Sequence, residues 1–359
     1  MKRILKAAAG VFLLSFMIVA CEGSAGPQGP AGPAGPAGPD GPQGPAGEDA
    51  NANCTQCHTQ DTELLAKQLQ FFSSKHWAGG NYNRGTRADC SVCHSHEGFT
   101  EVLATGEMEA AAGFTDPTPP NCRTCHNIHT TYTDADYGLT KTDAVAFWTG
   151  ETVDFGNNAN LCSQCHQSRL RDPMPAFGAD PITFTSTHYG PHYAPQGNMA
   201  AGTGFFDFEG DNGGVATHIG LGCGNCHMAE GNGTTLGGHT FNVSYGDFGE
   251  EVDNTNGCMA AGCHGDVPDF GYLGLQTEIA GLLETLVADL QTLGIAGAID
   301  PEHPDDCVHV VPGTYPGDVV AAFWNYDAIC HEGSLGLHNP TYTRGLLNGS
   351  IDAIQAYLP

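Results

Sequence analysis

The chain has 359 residues, with 12 Lys and Arg against 40 Asp and Glu, and its formal charge is −28 at pH 7. A field of that sign excludes nucleic acid and anionic surfaces as natural partners and favours cationic proteins and metal ions. The 15 Cys and 17 His are too many and too regularly placed for structural use alone.

Residues 1–20 read as a signal peptide. Lys2, Arg3 and Lys6 make a basic start, and Ala7 to Ala20 form an apolar stretch too short to span a bilayer comfortably. Ile18-Val19-Ala20-Cys21 resembles a bacterial lipoprotein box, which predicts lipidation of Cys21; a plain cleaved signal with a free Cys21 is the alternative. Position 22 is not Asp, which resembles lipoproteins sorted onward to an outer membrane. Removal of residues 1–20 leaves nine Lys and Arg against 40 acids, a formal charge of −31.

Residues 21–50 are expected to act as a tether. From Gly23 to Asp49 glycine recurs at every third position for nine triplets, seven with Pro next. This Gly-X-Y pattern is that of collagen, where only Gly fits at the three-chain axis, and as a single extended chain it would reach about 84 Å. Two readings stay open, a stiff spacer and a homotrimer joined through this segment.

Residues 51–272 carry the chemistry. Five copies of C-x-x-C-H occur, Cys54-Cys57-His58, Cys90-Cys93-His94, Cys122-Cys125-His126, Cys162-Cys165-His166 and Cys223-Cys226-His227. A sixth is stretched, Cys258-Cys263-His264, around the small residues Met259 to Gly262. Random placement of these Cys and His would produce about 0.03 such motifs. Each reads as a covalent attachment site for one c-type haem: two thiols on one helical turn meet the two vinyl groups, and the adjacent His lies under the iron. Zinc would take four ligands from paired knuckles and would not need a His after every second Cys. The stretch is poor in apolar runs and would struggle to build a core unaided. Six haems would supply apolar surface and staple the chain, so short helices at the motifs and long loops elsewhere are expected. Thr62 to Ser74 reads as a helix with Leu64, Leu65, Leu69 and Phe72 apolar.

Six motif histidines leave eleven others, enough for a second imidazole at every iron. The candidates are His76, which follows the first motif by one helix; His129, one turn after His126; His192, preferred over His188; His218, ahead of the fifth motif; His239, between flexible glycines and Thr240; and His338. His96 is expected to meet solvent or a propionate, and His303 and His309 to lie on the surface. Cys307 and Cys330 fall outside any motif, and in an exported chain a disulfide is the default. A seventh haem at Cys330-His331 is the rival. Acid-rich loops at Asp134–Asp136 and Glu209–Asp211 could hold Ca2+, with solvated turns as the plainer reading.

Residues 273–359 differ in kind. Leu275, Ile279, Leu282, Leu283, Leu286, Val287, Leu290 and Leu293 repeat at helical spacing and predict an amphipathic helix over about 275–294. Further helices are expected over Asp318–Ala328 and Tyr342–Leu358, packing as a cap on the haem region. The fold class expected is mainly α with extensive irregular loops, a multihaem cytochrome c wrapped around stacked haems with a C-terminal helical cap.

Several phrases resemble the bacterial multihaem c-type cytochrome lipoproteins: Asn160 to Arg169 around the fourth motif, Gly190 to Gln196, Gly237 to Phe241, and Trp324-Asn325-Tyr326 followed by Gly336 to Tyr342. The last is similar to the C-terminal helices of the cytochrome nitrite reductase and hydroxylamine oxidoreductase group. The likeness covers most of residues 51–359 and departs at Cys330-His331, where acidic residues would be expected. It implies closely stacked haems with two His ligands each, relaying electrons between periplasm and cell exterior, and in some members polymerised into filaments.

Electron transfer without catalysis is the leading reading, because two imidazoles per iron block substrate entry and limit reorganisation between redox states. The alternatives are reduction of nitrite, hydroxylamine or a sulfur oxyanion at one open haem, and a subunit of an extracellular filament. The C-x-x-C-K motif used by some such reductases is missing from the sequence. The expected partners are other cytochromes or an extracellular electron acceptor. The expected place is the outer membrane, through the lipid anchor, on its periplasmic or cell-surface face.

Overall fold

Cysteine spacing sets the local structure through much of this protein. The computed structural model describes residues 62–170, 174, 181–231, 233–247, 250–260, 264–299, 302 and 307–359. The expected signal peptide, Cys21, the Gly-X-Y segment, the first motif Cys54-Cys57-His58, Cys263 and His303 lie outside them. Each motif that is described begins on a short helix: Ala88–His94, Cys122–Cys125, Ala159–Ser163, Cys223–His227, and Asn256–Ala260 for the stretched one. Helices this short do not persist on propensity, so side chains fix their ends. Asn121 accepts from Arg123 N at 2.9 Å while its own N–H donates to Thr124 Oγ1 at 2.8 Å, a capping box around Cys122–Cys125. Ser95 ends the Ala88–His94 helix and caps the next, His96–Thr105, accepting from Gly98 N at 3.1 Å.

The helix expected over 62–74 runs from Thr62 to Ser73, but its apolar face is not the one the leucines suggested. Phe71 is buried, with Leu64 and Gln68 on the same face, whereas Leu65, Leu69 and Phe72 are exposed. Phe72 instead packs against Trp77, ring centroids 5.0 Å apart. Strands among the described residues form three two-stranded antiparallel pairs: Val145–Ala146 with Thr152–Val153, Ile182–Phe184 with Gly313–Tyr315, and Ser244–Asp247 with Glu250–Asp253. The Phe184↔Gly313 register carries a loop of the haem-motif region onto the C-terminal helices.

The main apolar core is C-terminal. It is built from helices Leu275–Thr292, Gly317–Glu332 and Pro340–Ile354, the latter two differing from the expected bounds 318–328 and 342–358. Gly317–Glu332 is buried around nearly its whole circumference, so its boundaries could not be read from one apolar stripe. Trp324, Ile329, Leu346, Leu347, Ile279, Leu286 and Leu290 are fully buried. Gly333, at φ 80°, stops the helix in the left-handed conformation that glycine tolerates. Pro340 stands at the start of the last helix, whose Asn339 cap accepts from Tyr342 N at 3.2 Å. Buried Asn325 ties these helices to the segment before the fifth motif, accepting from Phe206 N at 3.0 Å and donating to Phe206 O at 2.7 Å. The chain from Asp49 to Pro359 forms one compact unit. None of the described helices is long and apolar enough to cross a membrane.

Cys307 and Cys330 are bonded to each other across 23 residues. Both thiols are therefore committed, which removes the seventh attachment site considered above. Replacing both with Ser is expected to cost about 3 kcal/mol, from the loop-closure entropy the bond removes from the unfolded chain. A thermal melt of the variant beside the parent checks this; an unchanged midpoint would contradict it.

Candidate functional site

The motif helices converge on a cavity of about 2800 Å3, several times the about 300–1,000 Å3 of an ordinary small-molecule pocket. Cys90, Cys93, Cys122, Cys125, Cys162, Cys165, Cys223, Cys226 and Cys258 all line it. Burial pushes Cys125 up to about 12 and raises Cys90, Cys226 and Cys258 as well. Those four are therefore held toward the neutral thiol, unlike the low-pKa thiolates of catalytic or zinc-binding cysteines, whereas a hydrogen bond with Cys223 lowers Cys162.

The histidines fall into pairs. An imidazole nitrogen lies about 1.2 Å from its ring centroid and a metal–imidazole bond is about 2 Å, so two rings on opposite sides of one metal ion have centroids about 6.4 Å apart. Five pairs come close to that spacing: His76–His166 at 5.9 Å, His94–His192 at 6.3 Å, and His126–His239, His218–His264 and His227–His338, each at 6.2 Å. Every one joins a motif histidine to one of the candidates for the opposite axial position. The partners are 46 to 113 residues apart in sequence.

Hydrogen bonds at Nδ1 aim these rings. His126 donates to Tyr137 O at 2.7 Å, His192 to Tyr193 O at 3.0 Å, His218 to Leu337 O at 3.0 Å, and His227 to Phe241 O at 3.1 Å. His166 donates to Gln196 Oε1 at 3.2 Å, and His338 to the Glu332 carboxylate. With Nδ1 engaged, Nε2 is left with its lone pair toward the partner ring, the arrangement by which outer partners orient metal-bound imidazoles. Each of the five pairs has at least one ring anchored in this way. Burial, helped by the neighbouring His166 and His227, pushes His76 down to about 4. Burial with His192, Arg84 and Arg169 nearby brings His94 to about 4. Both are therefore neutral at pH 7, the form that ligates metals. His338 goes the other way: burial works against its charged form, but the Glu332 carboxylate outweighs it and raises the ring.

The motifs also approach one another. The Cys165 thiol is within hydrogen-bonding reach of Cys93, and Cys162 of Cys223. Asn225 Nδ2 donates to Gly257 O at 3.0 Å, joining the fifth motif to the sixth. The residues fit covalently held haem: paired thiols on one wall, a motif His beside them, and a second imidazole across the space.

Other candidates lie elsewhere. His129 has φ 64° and stacks on Tyr132 at 5.6 Å; His58, the motif histidine outside these five pairs, is not among the described residues. His188 faces His309 at 5.3 Å; both are exposed, as expected for His309, and stand along the cavity lining. His96, expected to meet solvent or a propionate, is half-buried, and its Nδ1 meets Thr124 Oγ1 at 3.0 Å, linking the second and third motifs. His331 stacks on Tyr193 at 3.9 Å and donates to Asp327 O at 2.9 Å. In the acid-rich loops the carboxylates serve the backbone. Asp136 accepts from Thr131 N at 2.7 Å and Tyr132 N at 3.1 Å, and Asp207 from Asn212 N at 2.8 Å and Gly210 N at 3.0 Å. Glu332 and Gln196 escaped the sequence reading, because nothing in their spacing marks a residue that supports a ligand from another segment.

No family model and no curated protein matches the chain. Among solved structures it is similar to the outer cell wall cytochrome OcwA, with 17% identity and a TM-score of 0.49 over 80% of this chain and 50% of that one. The chain spans about half the length of that cytochrome.

Proposed function

We propose that this protein is a multihaem c-type cytochrome that carries electrons through six covalently attached haems, each held between two histidines. The observation that carries the reading is the five His–His pairs at 5.9 to 6.3 Å, each built from one C-x-x-C-H or stretched-motif histidine and one remote histidine. When bound, haem supplies one-electron chemistry at its iron. The protein supplies thiols for attachment, axial imidazoles, Nδ1 hydrogen bonds that fix those imidazoles, and an interior that excludes water. His58 and His129 would hold the sixth haem. With both axial positions taken by His, no iron is left for substrate, so the protein acts as a carrier and not as a reductase of nitrite, hydroxylamine or sulfur oxyanions. Contacts between motifs keep the cofactors close enough for electrons to pass among them.

The lipid on Cys21 and the Gly-X-Y tether would hold this unit off an outer membrane, where its acidic surface meets a cationic redox partner or passes electrons to an extracellular acceptor. Intact mass of the mature protein is expected to exceed the polypeptide by six haems and one lipid. Colourless protein from cells with a working haem-attachment system would overturn the reading. The oxidised protein is expected to be wholly low-spin. Its electron paramagnetic resonance should be spread over several g values, because the paired ring planes meet at angles from 24° to 81°. His76→Ala is expected to convert one iron in six to high-spin.

A further inference from the structure

We propose that the chain sets a direction on its own electron relay: Glu332 makes the His227–His338 site the reducing end, and Arg84 with Arg169 make the His94–His192 site the oxidising end. This rests on the haem reading above and goes beyond it by ordering the sites.

Glu332 is buried, and its carboxylate takes three donors: His338 Nδ1 on one oxygen, and Ser334 N at 2.9 Å and Ser334 Oγ at 2.8 Å on the other. A carboxylate on the far nitrogen makes the imidazole a stronger electron donor to a metal on Nε2, which favours the oxidised iron. None of the other described pairs has a carboxylate on Nδ1; their acceptors are backbone carbonyls and the Gln196 amide.

The His94–His192 pair sits in the opposite field. Arg169 O accepts from His192 N at 3.1 Å, and the Arg169 guanidinium, which lies 5.7 Å over the Trp148 ring, acts electrostatically on both His94 and His192. Arg84 lies on the short Asn81–Thr86 helix that leads into Ala88–His94, and it lines the same cavity. Asp89 bonds Arg169 at 2.5 Å and also pairs with Arg87, so part of that charge is neutralised. Arg84 pairs with no carboxylate among the described residues. Buried Asp327 is raised chiefly by desolvation, and its charge is directed to His331, 3.2 Å away. In a chain with 12 cationic side chains against 40 acidic ones, two guanidinium groups at one His pair reverse the local field. A fixed cation near the iron disfavours its ferric state and favours its ferrous state.

The two ends are joined by the His76–His166 site. His166 lies close to both His227 and His338, and Cys165 of the same motif touches Cys93 of the oxidising end. With haem bound, Glu332 would favour release of an electron at the His227–His338 site, and the arginines would favour its uptake at the His94–His192 site. Arg84 is exposed, so the electron arrives where an external acceptor can take it.

The test is a spectroelectrochemical titration of the holoprotein, with haem content counted by mass in every variant. Arg84→Gln is expected to lower the highest midpoint by about tenfold in the oxidised-to-reduced ratio, equivalent to about 59 mV for one electron. Glu332→Gln keeps an acceptor for His338 without the charge and is expected to raise the lowest midpoint by a similar amount. If that variant does not accumulate, Ser334→Ala, which strips one donor from Glu332, should lower the same midpoint. Protein with six haems whose titration curves superpose on the parent, or whose opposite ends move, overturns the ordering. Protein with no haem overturns the carrier reading instead.

Discussion

Produced without haem attachment, the chain is expected to lose most of the structure of residues 62–264 outside the segments packed on the C-terminal core. Buried apolar residues in that region are scattered, and Phe184, Met199, Phe205 and Phe206 belong to the C-terminal core. Besides the main C-terminal core, the described residues hold two small clusters: Val145, Phe147 and Ala201, and Ala159, Ala200 and Ile219. The motif helices are four to seven residues long, far below the about 12–15 at which an isolated helix becomes even marginal. They face a cavity of about 2800 Å3, and no rearrangement of these side chains could fill it at protein packing density. A broad-specificity protease should cut the haem-free chain through most of 62–264, while the disulfide-bonded helices of 275–354 resist longer. Replacing both thiols of the fourth motif, Cys162 and Cys165, should do nearly as much harm, because that motif touches the second and the fifth. A haem-free chain that still melts cooperatively and protects 62–264 from cleavage would contradict this account.

Trp324→Ala is expected to be the most damaging single change in the C-terminal core. Trp324 is fully buried and meets Phe206 at 6.4 Å and Tyr189 at 5.6 Å, both edge-on. Loss of an aromatic ring of this size typically costs about 3–5 kcal/mol in transfer and cavity terms. That corresponds to a fall of about 10 °C in Tm for a unit of this size. It should exceed the disulfide variant, since it also frees the loops carrying Tyr189 and Phe206. Trp324→Phe should retain most of the stability, because the indole Nε1 makes no hydrogen bond among the described residues. Equal losses for the Ala and Phe variants would show that ring packing is not what holds the site.

The motif positions and the supply of spare imidazoles were plain in the chain, since the proposed attachment needs only a local spacing of two thiols and a histidine. The C-terminal amphipathic helix was equally plain, from leucines at helical period. Gly317–Glu332 was read too short because it is apolar on nearly every face. Leu65, Leu69 and Phe72 misled for a related reason: the helix turns Leu64, Gln68 and Phe71 inward, and apolarity by itself does not say which side meets the interior.

Residue spacing by itself determined where two thiols and a histidine share one helical turn, the places at which haem attachment is proposed. Tertiary structure decided which histidine faces which. His94 meets His192, His126 meets His239 and His227 meets His338 across separations of 98 to 113 residues, and no local rule spans such a distance. It also decided the fields. Glu332 is six residues from His338 and Arg84 ten from His94, but only the fold of the turns between them sets how strongly each charge acts on its ring, because electrostatics depends on position in space.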